Sequence, residues 1–293
     1  MTGPDSGDVT DTLAAGSRRS HLFGAPSRRD GGGNGALIAT ASTLVVFLVL
    51  GFLVVNAPGW PEVQEQFLNV DEFTSSFPAI LHAFILNVEI FLVAEALILP
   101  FALLLAVMRL LPGPVFFPFR LMSVVYTDLF RGLPGILVIY VLGYGAPALG
   151  LSWLPPNPLF WGTLSLVLVY SAYVAEVYRS GIESVHPSQE AAARSLGLSR
   201  SQSLRFVLLP QAVRRVIPPL LNDFIGLQKD TALVGLIGPV EAFRRSQIIS
   251  DGDFNFTPYL VAAFLFLLLT VPLARFTDWL VKRDRKRYQA GAR

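Results

Sequence analysis

The sequence predicts an all-α, polytopic membrane protein with six transmembrane helices, and three observations carry that prediction. Hydrophobic residues make up 53% of the 293 positions and charged ones only 15%, a balance outside the range of soluble domains and inside that of multi-pass membrane proteins. Apolar runs recur along the chain, each close to the ~20 residues that cross the hydrocarbon of a bilayer as a helix. The basic residues, nearly all of them arginine, gather in alternate connecting loops, as expected when short cytoplasmic loops hold the positive charge.

Residues 1–35 are rich in Gly, Ser, Asp and Arg and lack apolar periodicity. They bury too little surface to offset chain entropy and are expected to form a disordered cytoplasmic tail. Residues 36–57 centre on the uncharged run 37–55 and are read as the first span. A cleaved signal peptide is set aside because the run starts late and is too long. Residues 58–79, with Glu62, Glu65, Asp71 and Glu72, are read as an extracytoplasmic loop. Further spans are expected at 80–108, 133–150, 158–178, 216–240 and 257–281, some of them tilted or interrupted by proline.

The arginines orient these spans. Arg18, Arg19, Arg28 and Arg29 precede the first, Arg109 and Arg120 follow the second, Arg194 to Arg215 lie between the fourth and fifth, and a basic cluster runs from Lys282 to Arg287. All fall on one side. Both termini, including a short tail at 287–293, are therefore expected in the cytoplasm, together with the loop at 187–210. Trp60, Trp153 and Trp161 sit where an aromatic belt would meet the opposite interface. No internal repeat of the span pattern is visible, which weighs against a secondary transporter built from repeats.

Several chemistries are excluded or left without support. The chain has no cysteine, hence no disulfide, thiolate metal site or cysteine nucleophile. His21, His82 and His186 lack metal-ligand spacing, so no metal site is expected. Lys229, Lys282 and Lys286 are the lysines, and none follows the glycines of a phosphate-binding loop, so ATP hydrolysis by that route is excluded. No catalytic residue is assigned, and a formal charge of +2 gives no reason to expect nucleic acid.

The polar residues inside the apolar runs are the better lead, because each costs a few kcal/mol in lipid unless it faces a cavity or a partner. Asn87, Asp128, Arg131, Tyr173, Glu176, Lys229, Asp230 and Thr231 are the candidates for a substrate pathway. Two readings stand side by side for the charged ones. Asp128 with Arg131, and Lys229 with Asp230, are either pathway groups or ion pairs that fix helix packing. Glu176 either lines the path or pairs with Arg179. Arg131-Gly132-Leu133-Pro134 reads as a helix break. Glu89 and Glu95 are too far out of phase to act as a pair on one helix.

The most informative stretch is Pro187 to Pro210, a polar, alanine-rich helical pattern between two apolar spans. Pro187 and Ser188 can open a helix, Glu190 to Ala193 extend it, Gly197 can stop it, and Ser199 offers a second cap. Such a segment on a membrane protein suits docking to a soluble partner. Its spacing resembles the EAA loop of ATP-binding-cassette (ABC) importer permeases. With Thr127–Pro134, Ala172–Gly181 and Leu227–Leu233, residues 80–286 resemble the permease subunits of the polar-amino-acid uptake branch. The resemblance implies a type I permease core of five helices, with residues 36–57 as an extra N-terminal helix and 185–210 as the coupling loop. It implies coupling through Glu190, Ala191, Ala192, Ala193, Gly197, Leu209 and Pro210. Expected partners are a cytoplasmic ATPase dimer that binds ATP and Mg, a second permease subunit, an extracytoplasmic amino-acid-binding protein, the amino acid and the lipid bilayer. No cofactor is expected in this chain. Three departures from the family pattern stand out: Ala191 holds the position of the loop glutamate, with Glu190 one residue earlier, Leu133 replaces a threonine and Ala232 a serine. A channel or secondary transporter working without partners is the alternative function, and a membrane enzyme using Asp128, Glu176 and Glu190 a third.

Overall fold

A computed structural model describes residues 34–291 of the chain. Nearly all of the expected N-terminal tail, and the last two residues of the C-terminal one, lie outside the described residues. The chain divides into two compact units, residues 1–60 and 61–293. In the first, α1 (Asn34–Val55) is uncharged and apolar along its length, the pattern of a helix that crosses a bilayer.

The second unit is built around α3 (Val70–Leu110), a helix of 41 residues. Asn69 caps it by accepting from the Glu72 amide at 3.1 Å, and Asp71 and Glu72 in the first turn complement the helix dipole. The helix therefore starts ten residues before the expected span, inside the segment read as a loop. That segment also holds α2 (Trp60–Phe67), whose end is tied across the chain by the Phe256 amide donating to the Gln66 carbonyl at 2.7 Å. At its far end α3 stops at Leu110, since Leu111 stands before a proline and takes an extended conformation.

Two apolar clusters grip α3. Its first half, through Ile80 and Phe84, packs on Ala242, Val261, Ala262 and Leu265. Its second half, through Ile90, Ala94, Ile98 and Ala102, packs on Val167, Val169, Tyr170 and Val174. The four-residue spacing of those α3 positions lays one continuous ridge along the helix. The opposite face, with Leu92, Val93, Leu97 and Leu103, is exposed. In lipid that exposure carries no penalty, so packing rather than water exclusion holds the helices together.

The predicted break at Arg131–Pro134 is present. α4 (Phe117–Gly132) and α5 (Gly135–Ala148) meet at a bend of 103°, with Leu133 extended before Pro134. α6 (Pro158–Glu183) follows, then the helical arm of 187–210, then α9 (Leu209–Asp230) and a 3₁₀ segment Thr231–Ile237. α10 (Ala242–Asp253) and α11 (Thr257–Gly291) complete the chain. Four described helices are long and apolar enough to cross a membrane, or five when the bent α4–α5 pair counts as one span. The count of six is compatible with this. The segment expected as the remaining span, 216–240, is α9 with its 3₁₀ continuation, which is not among those helices and is interrupted at Asp230–Thr231 where the sequence places polar residues.

Candidate functional site

The arm is assembled from local signals. In α7 (Pro187–Ser195) the cap is His186, whose Nδ1 accepts from the Ser188 amide at 3.2 Å, with Pro187 as the first helical residue. The sequence reading assigned that opening to Pro187 and Ser188 and missed the histidine. Gly197 stops the helix as expected. Its φ of +85 lets the Leu198 amide fold back to the Ala193 carbonyl at 3.2 Å, a closure that favours glycine. Ser199 then caps α8 (Arg200–Ser203) in a reciprocal box with Gln202. Pro210 has no amide hydrogen to give its fourth predecessor, and the helix widens before it into a π turn, Leu204–Leu208.

The arm's faces differ. Ala193 and Ser203 are buried, whereas Ala191, Ala192, Gly197, Leu209 and Pro210 are exposed and Glu190 is half-buried. The alanine face proposed for docking is thus split: Ala191 and Ala192 point out, and Ala193 is used inside. Leu196 is 84% exposed beside Gly197, an apolar knob the sequence reading passed over. The arm is held at its base by Arg215, which donates to the Ser184 carbonyl.

A second site runs along α6. Tyr170, Tyr173, Glu176, Arg179 and Glu183 follow one another at steps of three and four residues, each touching the next turn, so they form a stripe that winds around the helix. Glu176 is the hub. It accepts from Arg179 of the next turn and from Arg109 at the end of α3 at 3.3 Å, and Arg131 at the end of α4 stands 3.8 Å away. Arg179 also pairs with Glu183. Both Arg109 and Arg131 lie in the last turn of their helices, where a cation meets the negative end of the dipole. Guanidinium groups from three helices thus converge on one carboxylate.

The stripe continues toward the start of α6. The Arg131 guanidinium lies 6.0 Å from the centre of the Tyr173 ring, Tyr173 and Tyr170 are 6.2 Å apart, and the Tyr170 hydroxyl donates to Asp230 at 2.8 Å. Arg131, Tyr173, Glu176 and Asp230 are therefore brought together by α6. The ion pairs weighed for Asp128 with Arg131 and for Lys229 with Asp230 do not form: Arg131 turns to Glu176, and Asp230 to Tyr170. Asp128 and Lys229 are exposed. The stripe offers a half-exposed cation at Arg131 and an anion at Asp230, so it can meet a solute of both signs.

Asn87 and Thr231 lie elsewhere. They are 1% and 0% exposed and belong to a buried network with Glu241, to which Asn87 donates at 3.0 Å. Glu241 escaped the sequence reading because it stands alone after Gly-Pro-Val, between the spans expected at 216–240 and 257–281. Arg109 was taken only as a marker of orientation, since nothing local links it to a glutamate 67 positions away.

Several apolar helices, a polar stripe between them and a helical arm outside define a membrane-embedded transport subunit. Residues 37–286 match the family described as binding-protein-dependent transport system inner membrane component. The chain is 35% identical over 184 residues to the probable glutamine ABC transporter permease protein GlnM of Bacillus subtilis (strain 168), covering 62% of this chain and 82% of that one. It is 31% identical over 218 residues to the probable amino-acid permease protein YxeN of the same organism, covering 73% and 95%. Its fold superposes with a TM-score of 0.65 and 28% identity on a crystal structure described as an amino acid ABC transporter with histidines, covering 74% of this chain and 98% of that one. The chain belongs to the family of inner-membrane permease components of binding-protein-dependent transport systems.

Proposed function

We propose that the chain is the translocating subunit of an importer that moves a polar amino acid, such as glutamate, glutamine or a basic amino acid, across the cell membrane into the cytoplasm. The names of its relatives GlnM and YxeN and the likeness to an amino acid ABC transporter support this reading. The observation that carries it is continuity. α6, which bears Tyr173 and Glu176 of the stripe, ends at Glu183, four residues before the exposed arm begins at Pro187. α9, which bears Lys229 and Asp230, leaves the arm's other end. A displacement of the arm is thereby transmitted to both helices that hold the polar stripe.

In this mechanism two permease subunits, identical or related, enclose the path. Two cytoplasmic ATPases hold the loops at 185–210 and bind ATP and Mg, while a receptor delivers the amino acid from outside. Closure of the ATPases draws the arms together and reorients α6 and α9, exposing the path alternately to each side. Glu190, Ala191, Ala192 and Leu196 contact the ATPase, Gly197 and Pro210 shape the arm, and both termini lie in the cytoplasm. An amino acid presents a carboxylate to Arg131 and an ammonium to Asp230.

Purification of the tagged full chain from its native membrane, with crosslinking and mass spectrometry, tests the assembly. Recovery of a nucleotide-binding ATPase and a binding protein is expected, followed by ATP-dependent uptake of a labelled amino acid in proteoliposomes. Recovery of the chain alone under crosslinking would overturn the importer reading in favour of a channel or secondary transporter.

A further inference from the structure

Glu241 is fully buried and precedes α10. Its carboxylate accepts from the Phe243 amide at 2.9 Å, the Arg244 amide at 2.8 Å and the Asn87 side-chain amide at 3.0 Å. A helix cap needs only the first two, and shorter side chains fill that role best. The third bond crosses to α3. Asn87 is used on every side: it donates also to the Thr231 hydroxyl at 3.1 Å and accepts from the Ala242 amide at 3.0 Å. Thr231 in turn donates to the Gln228 carbonyl at 2.8 Å. An unbroken path of hydrogen bonds thus runs from Glu241 to the residues on either side of Lys229 and Asp230. Gly235 fits the same purpose, because a Cβ there would overlap a Glu241 carboxylate oxygen.

We propose that Glu241 is a positioning residue for translocation, acting through Asn87 and Thr231 to hold the α9-to-3₁₀ junction so that Lys229 and Asp230 stand fixed in the wall of the substrate path. This rests on the importer reading for its functional meaning, while the clasp itself is tested without transport. Asn87, Thr231 and Glu241 are each bonded within this buried network, and such bonding specifies one arrangement of the chain; here that arrangement sets the backbone that carries Lys229 and Asp230, alongside the bond Asp230 accepts from Tyr170.

The absence of native cysteine makes Lys229→Cys a single attachment point for a spin label in the full chain in lipid nanodiscs. Glu241→Asp is the decisive partner: it keeps a carboxylate for the α10 amides but is one methylene too short to reach Asn87. The label's spectrum is expected to change from one immobilised component to a mixture with a mobile one. Gly235→Ala, which displaces the carboxylate from the other side, is expected to do the same should Glu241→Asp yield too little folded protein. An unchanged spectrum in both overturns the proposal, leaving Glu241 a helix cap. In the reconstituted complex with unlabelled chain, Glu241→Asp is expected to raise KM for uptake at least tenfold, more than it lowers kcat. Loss of uptake that follows the amount of folded protein, with KM unchanged, also overturns it. A wild-type complex that imports no amino acid defeats the importer reading instead, and the label spectrum still decides the clasp.

Discussion

The arm and the charged hub on α6 are both polar structures on an apolar protein, and they are made in opposite ways. Apart from the Arg215–Ser184 bond at its base, the arm's bonds are local: His186 to Ser188, Ser199 to Gln202, Leu198 back to Ala193. The hub gathers Arg109, Arg131 and Arg179 around Glu176 from three helices, and the clasp joins positions 144 to 155 residues apart. An element made of local bonds can move as a unit without disturbing the core. One made of distant bonds ties helices together and resists that motion. On the proposed mechanism this difference suits the arm to be the moving end and the hub to be the point where movement is received.

Glu176→Gln should break the comparison with the largest effect. It leaves three guanidinium groups converging on a neutral amide in a partly buried setting. Removing one partner of a buried ion pair costs about 3–5 kcal/mol, and the 21% exposure of the Glu176 side chain puts this site at the lower end. A clear fall in the thermal midpoint in detergent is expected, with uptake reduced more than tenfold in the protein that folds. Normal uptake at normal expression would remove Glu176 from both the path and the hub. Arg109→Gln, which takes away one of the three cations, should cost less by the same measurement.

Neighbouring alanines sharpen the contrast within the arm. Ala193→Leu forces extra volume against a buried contact and should cost about 1–3 kcal/mol, seen as lower stability of the isolated chain. Ala192→Leu adds the same volume on an exposed face, leaving stability alone and weakening association with the ATPase in a pull-down. Equal effects of the two would mean that the arm has no inner and outer face. Gly197→Val has open space around it, so its cost is the left-handed backbone alone, about 1–2 kcal/mol. The expected outcome is ATP hydrolysis uncoupled from uptake, with stability lowered by no more than that amount.

The same contrast explains what could be read in the sequence. Gly197, Ser199, Pro210 and the Arg131–Pro134 break act through their own neighbours, so residue type and spacing reveal them. Most apolar runs were legible for the same reason; the exceptions are the early start of α3 at Val70, where an asparagine cap inside a polar stretch looked like loop, the run at 133–150, which is one half of a bent pair, and the run at 216–240, which is not among the helices apolar enough to cross a membrane. The partners of Glu176 were half legible: Arg179 lies one helical turn away, while Arg109 and Arg131 meet it only once α3, α4 and α6 are packed. Glu241 was illegible. A lone acid in a mixed-charge segment carries no periodic or motif signal, and its importance arises from an asparagine 154 positions earlier.

The smallest effect tests whether the arm is locally made. Ser199→Ala removes the hydroxyl that accepts from the Gln202 amide at 3.3 Å but leaves the reciprocal bond, from the Ser199 amide to the Gln202 side chain at 2.9 Å. Loss of a capping hydroxyl costs about 0.5–2 kcal/mol, and half of the box survives, so a value near the bottom of that range is expected. α8 is a single turn, too short to persist without its cap. Amides in the 200–203 segment should therefore exchange with solvent roughly threefold faster, by the relation of about 1.4 kcal/mol per tenfold, with no change in the global thermal midpoint. Exchange unaltered by Ser199→Ala would mean that the buried Ser203 and Ala193 hold the arm through packing. The arm would then belong with the distant-bond elements, and its motion would require the helices beneath it to move first.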